Sequence, residues 1–184
     1  MKQQKSVHMG NIRYIAMMGL MLALALVLSI IESWIPPIPA LPPGVKLGLA
    51  NIVTMYVMFF LGRRSAYVIV VLKSGFVLIT RGLIAAAMSL GGGLLSATVM
   101  LLLLIPKKHR ISYFLISVAG AVAHNVAQLF VASIITGTPL VFGYLPVLLV
   151  SGVVMGSVTG VLLRVVLPAM NRVQGFVAGG GRVG

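Results

Sequence analysis

The sequence predicts an all-α integral membrane protein of six transmembrane helices with both termini in the cytoplasm, and three observations predict it. Hydrophobic residues make up 60% of the 184-residue chain, and its mean hydropathy is +1.14. Lys and Arg number 14 against a single acidic residue, Glu32, for a net charge of +13. The basic residues gather in short clusters between long apolar runs, which is the positive-inside pattern. Every backbone group in lipid must be satisfied inside a helix or a closed barrel, and the apolar runs are continuous rather than alternating, which selects helices.

The same balance excludes other classes. A nucleic-acid module carries its positive charge on a polar surface over a soluble core, with aromatic platforms, and this chain offers neither. Cysteine is absent, so disulfides, thiolate metal sites and cysteine nucleophiles are absent with it.

The first apolar run, 12–31, follows basic residues as a signal peptide would. No small-x-small cleavage site stands between its end and the Pro-rich stretch, and it is expected to be retained as the first span. Further spans are expected at about 47–62, 65–82, 89–105, 111–136 and 144–167. With the amino terminus inside, 11 basic residues fall on cytoplasmic segments: Lys2, Lys5, Arg13, Arg63, Arg64, Lys107, Lys108, Arg110, Arg164, Arg172 and Arg182. Lys46 and Arg81 fall outside, and Lys73 lies within the third span. The reverse topology inverts that ratio. The chain therefore divides into a cytoplasmic segment 1–11, a transmembrane domain 12–168 and a flexible Gly-rich cytoplasmic tail 169–184. The external loop 32–46 carries five prolines between Glu32 and Gly44, which hold an extended path. It is either a lid over the external mouth or a stiff linker.

Enzyme chemistry is not expected. Hydrolases and metal-dependent transferases need paired carboxylates or a metal cluster. Glu32 has no acidic partner, and His8, His109 and His124 are too scattered to form a metal site. No cofactor is expected. Buried polar groups are better guides. A Lys in mid-span, as at Lys73, marks a functional candidate unless it snorkels or bonds backbone carbonyls. Arg81 lies eight residues on, roughly 12 Å along a helix and about 80° around it, so both can face one external cavity. His124 and Gln128 are one turn apart with Asn125 beside them, a cluster that either glues helices or lines a wet pocket. Ser89-Leu90-Gly91-Gly92-Gly93 is expected to open the fourth span, where free N–H groups can accept an anion or the glycines form a hinge. Gly19 and Ala23, with Ala16 nearby, and Gly152, Gly156 and Gly160 have the small-xxx-small spacing of close helix contacts.

Taken in order, Pro43-Gly44-Val45-Lys46-Leu47-Gly48-Leu49-Ala50-Asn51, Ser89-Leu90-Gly91-Gly92 and Ala123-His124-Asn125-Val126-Ala127-Gln128-Leu129 resemble the Gx transporter family. That family is often labelled heptaprenyl diphosphate synthase component I, and it resembles the S components of energy-coupling factor (ECF) transporters. The resemblance covers about residues 10–168. It implies a six-helix substrate-binding subunit open to the outside. It also implies a first helix that docks through small residues, here Ala16, Gly19 and Ala23, on a transmembrane coupling subunit driven by two cytoplasmic ATPases. The alanine-rich form of that docking motif is only partly present, since position 20 is Leu. No P-loop is present, so ATP hydrolysis would come from a partner. The inherited enzyme label meets a physical objection: prenyl diphosphate synthases hold magnesium through aspartate-rich motifs, and this chain has no Asp.

The expected substrate is a small anionic or phosphate-bearing vitamin or cofactor, flavin-like, or an isoprenoid. Lys46, Lys73 and Arg81 would supply a positive field, His124, Asn125 and Gln128 would orient the polar part, and Trp34 would close over it with the loop. Asn51, Ser89 and Gly91, within the motifs that carry the resemblance, complete the expected set. The alternative is a non-catalytic membrane scaffold for a prenyl diphosphate synthase or a redox complex, using the basic turns and the Gly152/Gly156/Gly160 face. A secondary carrier is disfavoured, because ion coupling usually needs buried carboxylates and no predicted span contains one.

Overall fold

A computed structural model describes residues 11–34, 50–105 and 112–179, without the side chains of residues 11, 13 and 165–179. The described residues fold into α1 (Asn11–Trp34), α2 (Asn51–Phe60), α3 (Arg63–Arg81), α4 (Leu83–Leu104), α5 (Tyr113–Thr136), a 3-10 helix (Pro139–Tyr144) and α6 (Leu145–Gly179), with no strand among them. Four segments are long and apolar enough to cross a membrane: 14–34, 83–104, 113–136 and 139–164. At 10 residues, α2 is about 15 Å long, half of a hydrocarbon core. α3 has 19 residues but carries Arg63, Arg64, Lys73 and Arg81.

Several boundaries differ from those expected. Glu32, Ser33 and Trp34 belong to α1 and not to the external loop. The first residues that disfavour helix are Ile35, restricted by the proline after it, and Pro36 itself. The rest of that loop, Lys46 and the 106–111 turn lie outside the described residues. Only Gly82 separates α3 from α4, and its φ of 85° is a conformation that other residues reach at a cost. α4 therefore begins at Leu83 rather than at Ser89. The backbone of α6 stays helical through Pro168 to Gly179, beyond the expected domain boundary. A single proline removes one ladder hydrogen bond and does not by itself end a helix.

The helices pack in the order α1, α3, α4, α5, α6, with α2 against all five; among the described residues α1 packs only on α2 and α3. Contacts at one end fix this arrangement. Tyr14 and Ser65 hydroxyls lie 2.7 Å apart, those of Tyr67 and Thr98 3.0 Å apart, and Phe59 meets Tyr113 edge-on at 4.9 Å. Arg164 donates to Ser112 Oγ at 3.1 Å at the same end. Arg63 and Arg64 also lie there, at the start of α3, so this is the basic end of the bundle.

The apolar interior has two parts. Near the basic end, Met55, Val57, Ile69, Met100, Ile116 and Leu163 join residues from all six helices. At the other end Met88, Leu129, Ala132, Val141 and Leu148 pack together. Large apolar side chains such as Ile12, Ile15, Ile79, Leu83 and Ile134 are exposed, as a lipid-facing surface requires.

The two small-residue seams have opposite fates. A Cβ on Gly156 would lie 2.5 Å from Val118 Cα, and one on Gly152 or Gly160 would meet α5 backbone at 3.1 Å. The glycine face of α6 is therefore an internal seam on α5 and is not available to a scaffold partner. Ser117 Oγ donates to the Gly156 carbonyl across it at 2.8 Å. Ala16, Gly19 and Ala23 are all exposed, and among the described residues nothing lies within 4 Å of a Cβ built on Gly19.

Candidate functional site

Between the two apolar clusters lies a layer of buried polar groups. Lys73, His124 and Gln128 are 4%, 3% and 2% exposed, and their burial in a lipid-facing bundle demands partners. α3 brings Lys73 inward together with Ser74, Ile69 and Val70. α5 presents His124 and Gln128 one turn apart, with Gln128 Nε2 3.1 Å from His124 Nε2. An amide nitrogen only donates, so in this arrangement His124 Nε2 accepts and the ring proton sits on Nδ1. Nδ1 lies against the Gly92 backbone, its nearest polar neighbour there, in a longer or poorly aligned hydrogen bond. Ser74 donates to Ser89 at 3.3 Å, which joins α3 and α4 beside this layer.

Lys73 also interacts electrostatically with His124 and with Glu32, the only acidic side chain in the chain. Glu32 is buried on α1, on one stripe with Met21, Ala25 and Ser29 that faces α2 and α3. Sequence reasoning placed Glu32 in a loop and missed it as a site residue. A usable signal was present: a mid-span Lys needs a counter-ion, and only one residue in the chain can supply it. Its burial also removes the ground on which a secondary carrier was disfavoured, that no span contains a carboxylate.

The other expected site residues fall elsewhere. Asn125 is fully buried but turned toward α6, donating to the Leu148 carbonyl at 2.8 Å and to Ser151 Oγ at 3.2 Å. It joins helices, while its neighbour His124 faces the charged layer. Asn51 opens α2, is 5% exposed, and has no hydrogen-bond partner on either side-chain polar atom among the described residues. Trp34 is 80% exposed at the end of α1, and Arg81 is exposed at the end of α3.

Ser89 and Gly91 do not form an anion-binding helix start. They sit inside α4, where backbone N–H groups are committed to the helix ladder. The three glycines instead bring neighbours close. Added Cβ atoms would lie 2.7 Å from Val131 at Gly91, 2.7 Å from His124 Cε1 at Gly92 and 2.6 Å from Val70 at Gly93. Gly92→Ala is therefore expected to push His124 off Gln128 and destabilise the bundle by about 1–3 kcal/mol. The control is Gly75→Ala, where nothing lies within 4 Å. Thermal melting in detergent should show a lower Tm for the first variant only.

Together these features define a multi-pass helical membrane protein with a charged and polar layer enclosed in its bundle. The chain belongs to the heptaprenyl diphosphate synthase component I family, whose family model matches residues 21–166. That range holds Glu32, Lys73, His124 and Gln128. No curated protein and no solved structure matches the chain.

Proposed function

We propose that this chain is the substrate-binding subunit, S component-like, of an energy-coupling factor type uptake transporter in the bacterial cytoplasmic membrane, spanning it with six helices and with both termini inside. Its substrate is a small anionic or phosphate-bearing compound, a flavin-like vitamin or an isoprenoid, captured from the external side. The observation that carries this reading is the buried Lys73–His124–Gln128 layer. An ammonium and an N–H donor held in a low-dielectric interior favour a ligand with negative charge.

The exposed face of α1, with Ala16, Gly19 and Ala23 in one strip, is where a transmembrane coupling subunit would dock. Cytoplasmic ATPases would supply the energy. The protein itself is proposed to be non-catalytic, because it has no Asp and a single Glu, so that it cannot pair two acidic side chains. Extraction in mild detergent followed by native mass spectrometry tests the proposal. A flavin, another vitamin or a prenyl diphosphate at near-stoichiometric level is expected. An empty protein that co-purifies with a soluble synthase would favour the scaffold.

A further inference from the structure

The short helix α2 begins at the level of the buried polar layer. Its last residues lie at the basic end of the bundle, where Phe59 meets Tyr113. Asn51 stands eight residues before Phe59, about 12 Å along the helix. Lys73 stands eight residues beyond Ser65, which meets Tyr14 at the same end, also about 12 Å along. His124 is eleven residues beyond Tyr113, about 17 Å along. The three therefore lie within about one helical turn of a common level. α2 packs on all five other α-helices, and Asn51 is enclosed with it at 5% exposure. Burial of this kind calls for hydrogen-bond partners, yet neither Asn51 Oδ1 nor Nδ2 has one among the described residues. On the same face one turn later, Thr54 is 1% exposed and its Oγ1 is likewise unpartnered, although a helical threonine readily bonds the carbonyl one turn back.

A carboxamide carries a donor and an acceptor side by side, and with both unused it makes no difference which way round the group sits. Its complement is a planar ring edge with an N–H beside a carbonyl or a ring nitrogen, the pairing by which Asn reads adenine in DNA. A phosphate, diphosphate or carboxylate offers acceptors alone and would satisfy Nδ2 but not Oδ1. A prenyl chain offers neither. Resting on the reading of the Lys73–His124–Gln128 layer as the ligand site, we propose that Asn51, with Thr54 behind it, pairs with the donor–acceptor edge of a heterocycle. The substrate is then a ring of this kind joined to a negatively charged group, and not an isoprenoid.

Three probes test this in nanodiscs of neutral lipid: flavin mononucleotide, whose ring imide N–H lies between two carbonyls, the same compound methylated at that nitrogen, and farnesyl diphosphate. In fluorescence titrations of the unmodified protein, the methylated flavin is expected to bind roughly ten- to a hundredfold more weakly than its parent, the range of one bidentate pair. Farnesyl diphosphate should compete no better than the methylated compound. Asn51→Leu, similar in size and apolar, should bind both flavins equally, at the weaker affinity. Its Tm without ligand should be unchanged or raised, because apolar atoms replace polar ones that bond nothing. Equal affinity of the unmodified protein for the two flavins, or farnesyl diphosphate binding at least as tightly as flavin mononucleotide, overturns the Asn51 pairing and leaves the anion site standing. Discrimination retained in Asn51→Leu would trace it to the bulk of the methyl group and overturns the pairing as well. So does a lowered Tm in that variant, which would show Asn51 holding the fold together. Absence of binding by all three compounds overturns the anion site and the pairing together.

Discussion

Lys73→Met is expected to abolish binding of the co-purifying anion and to lower the stability of the empty protein at the same time. The first effect follows from removal of the only cation buried in the polar layer among the described residues. A ligand at a hundred times its Kd stabilises the folded state by about 2.7 kcal/mol, and the variant should lose that stabilisation entirely. The second effect follows from Glu32. Removing one of two buried charges that interact electrostatically leaves the other less compensated, at a cost bounded by the about 3–5 kcal/mol of a broken buried ion pair. The double variant Glu32→Gln with Lys73→Met should recover most of the empty protein's Tm without recovering ligand binding. Thermal melting with and without ligand separates the two effects. Unchanged affinity and unchanged ligand-induced stabilisation in Lys73→Met would rule out the cationic site.

Gly156→Leu and Gly19→Leu are expected to have opposite phenotypes although both glycines sit in small-xxx-small patterns. At Gly156 even a Cβ would lie 2.5 Å from Val118 Cα, and backbone cannot move aside as a side-chain tip can. Overpacking of this kind destabilises by about 1–3 kcal/mol for small increments, and Leu adds three more carbons. It would also separate α6 from the Ser117 and Asn125 hydrogen bonds that cross the same seam. The expected outcome is a loss of monodisperse protein on size-exclusion chromatography. At Gly19 nothing lies within 4 Å, so Leu should leave folding and ligand binding intact. It should abolish co-purification with the coupling subunit. Retained co-purification would show that docking does not use this strip.

Much of the fold was legible before any tertiary information. The four spans long and apolar enough to cross a membrane fall within the expected segments, give or take a few residues at most ends. Length and hydropathy are local properties, and lipid forces each such segment into a helix independently of its neighbours. The errors came at boundaries. Without a charge or a proline between Ile31 and Pro36 other than Glu32, nothing local marked where α1 stops. The third span was expected to end at 82, but a lone glycine there was too slight a signal that the next helix begins directly at Leu83. The Ser89–Gly93 run looked like a helix opening because glycine permits that as readily as it permits close packing.

The sequence by itself determined the membrane class, the helical content and the buried candidates Lys73, His124 and Gln128, because charge and hydropathy report directly on what can enter lipid. Tertiary structure alone decided how those residues are used. It set Asn125 on α6 and His124 on the charged layer, turned Gly152, Gly156 and Gly160 inward and Gly19 outward, and buried Glu32 on a helix that packs against the one carrying Lys73. The physical reason is that in a membrane bundle the lipid-facing and helix-facing sides are both apolar, so periodicity does not reveal which face meets which neighbour. The burial of an acidic side chain more than forty positions from Lys73 in sequence is likewise invisible to any local pattern, and only tertiary packing produces it.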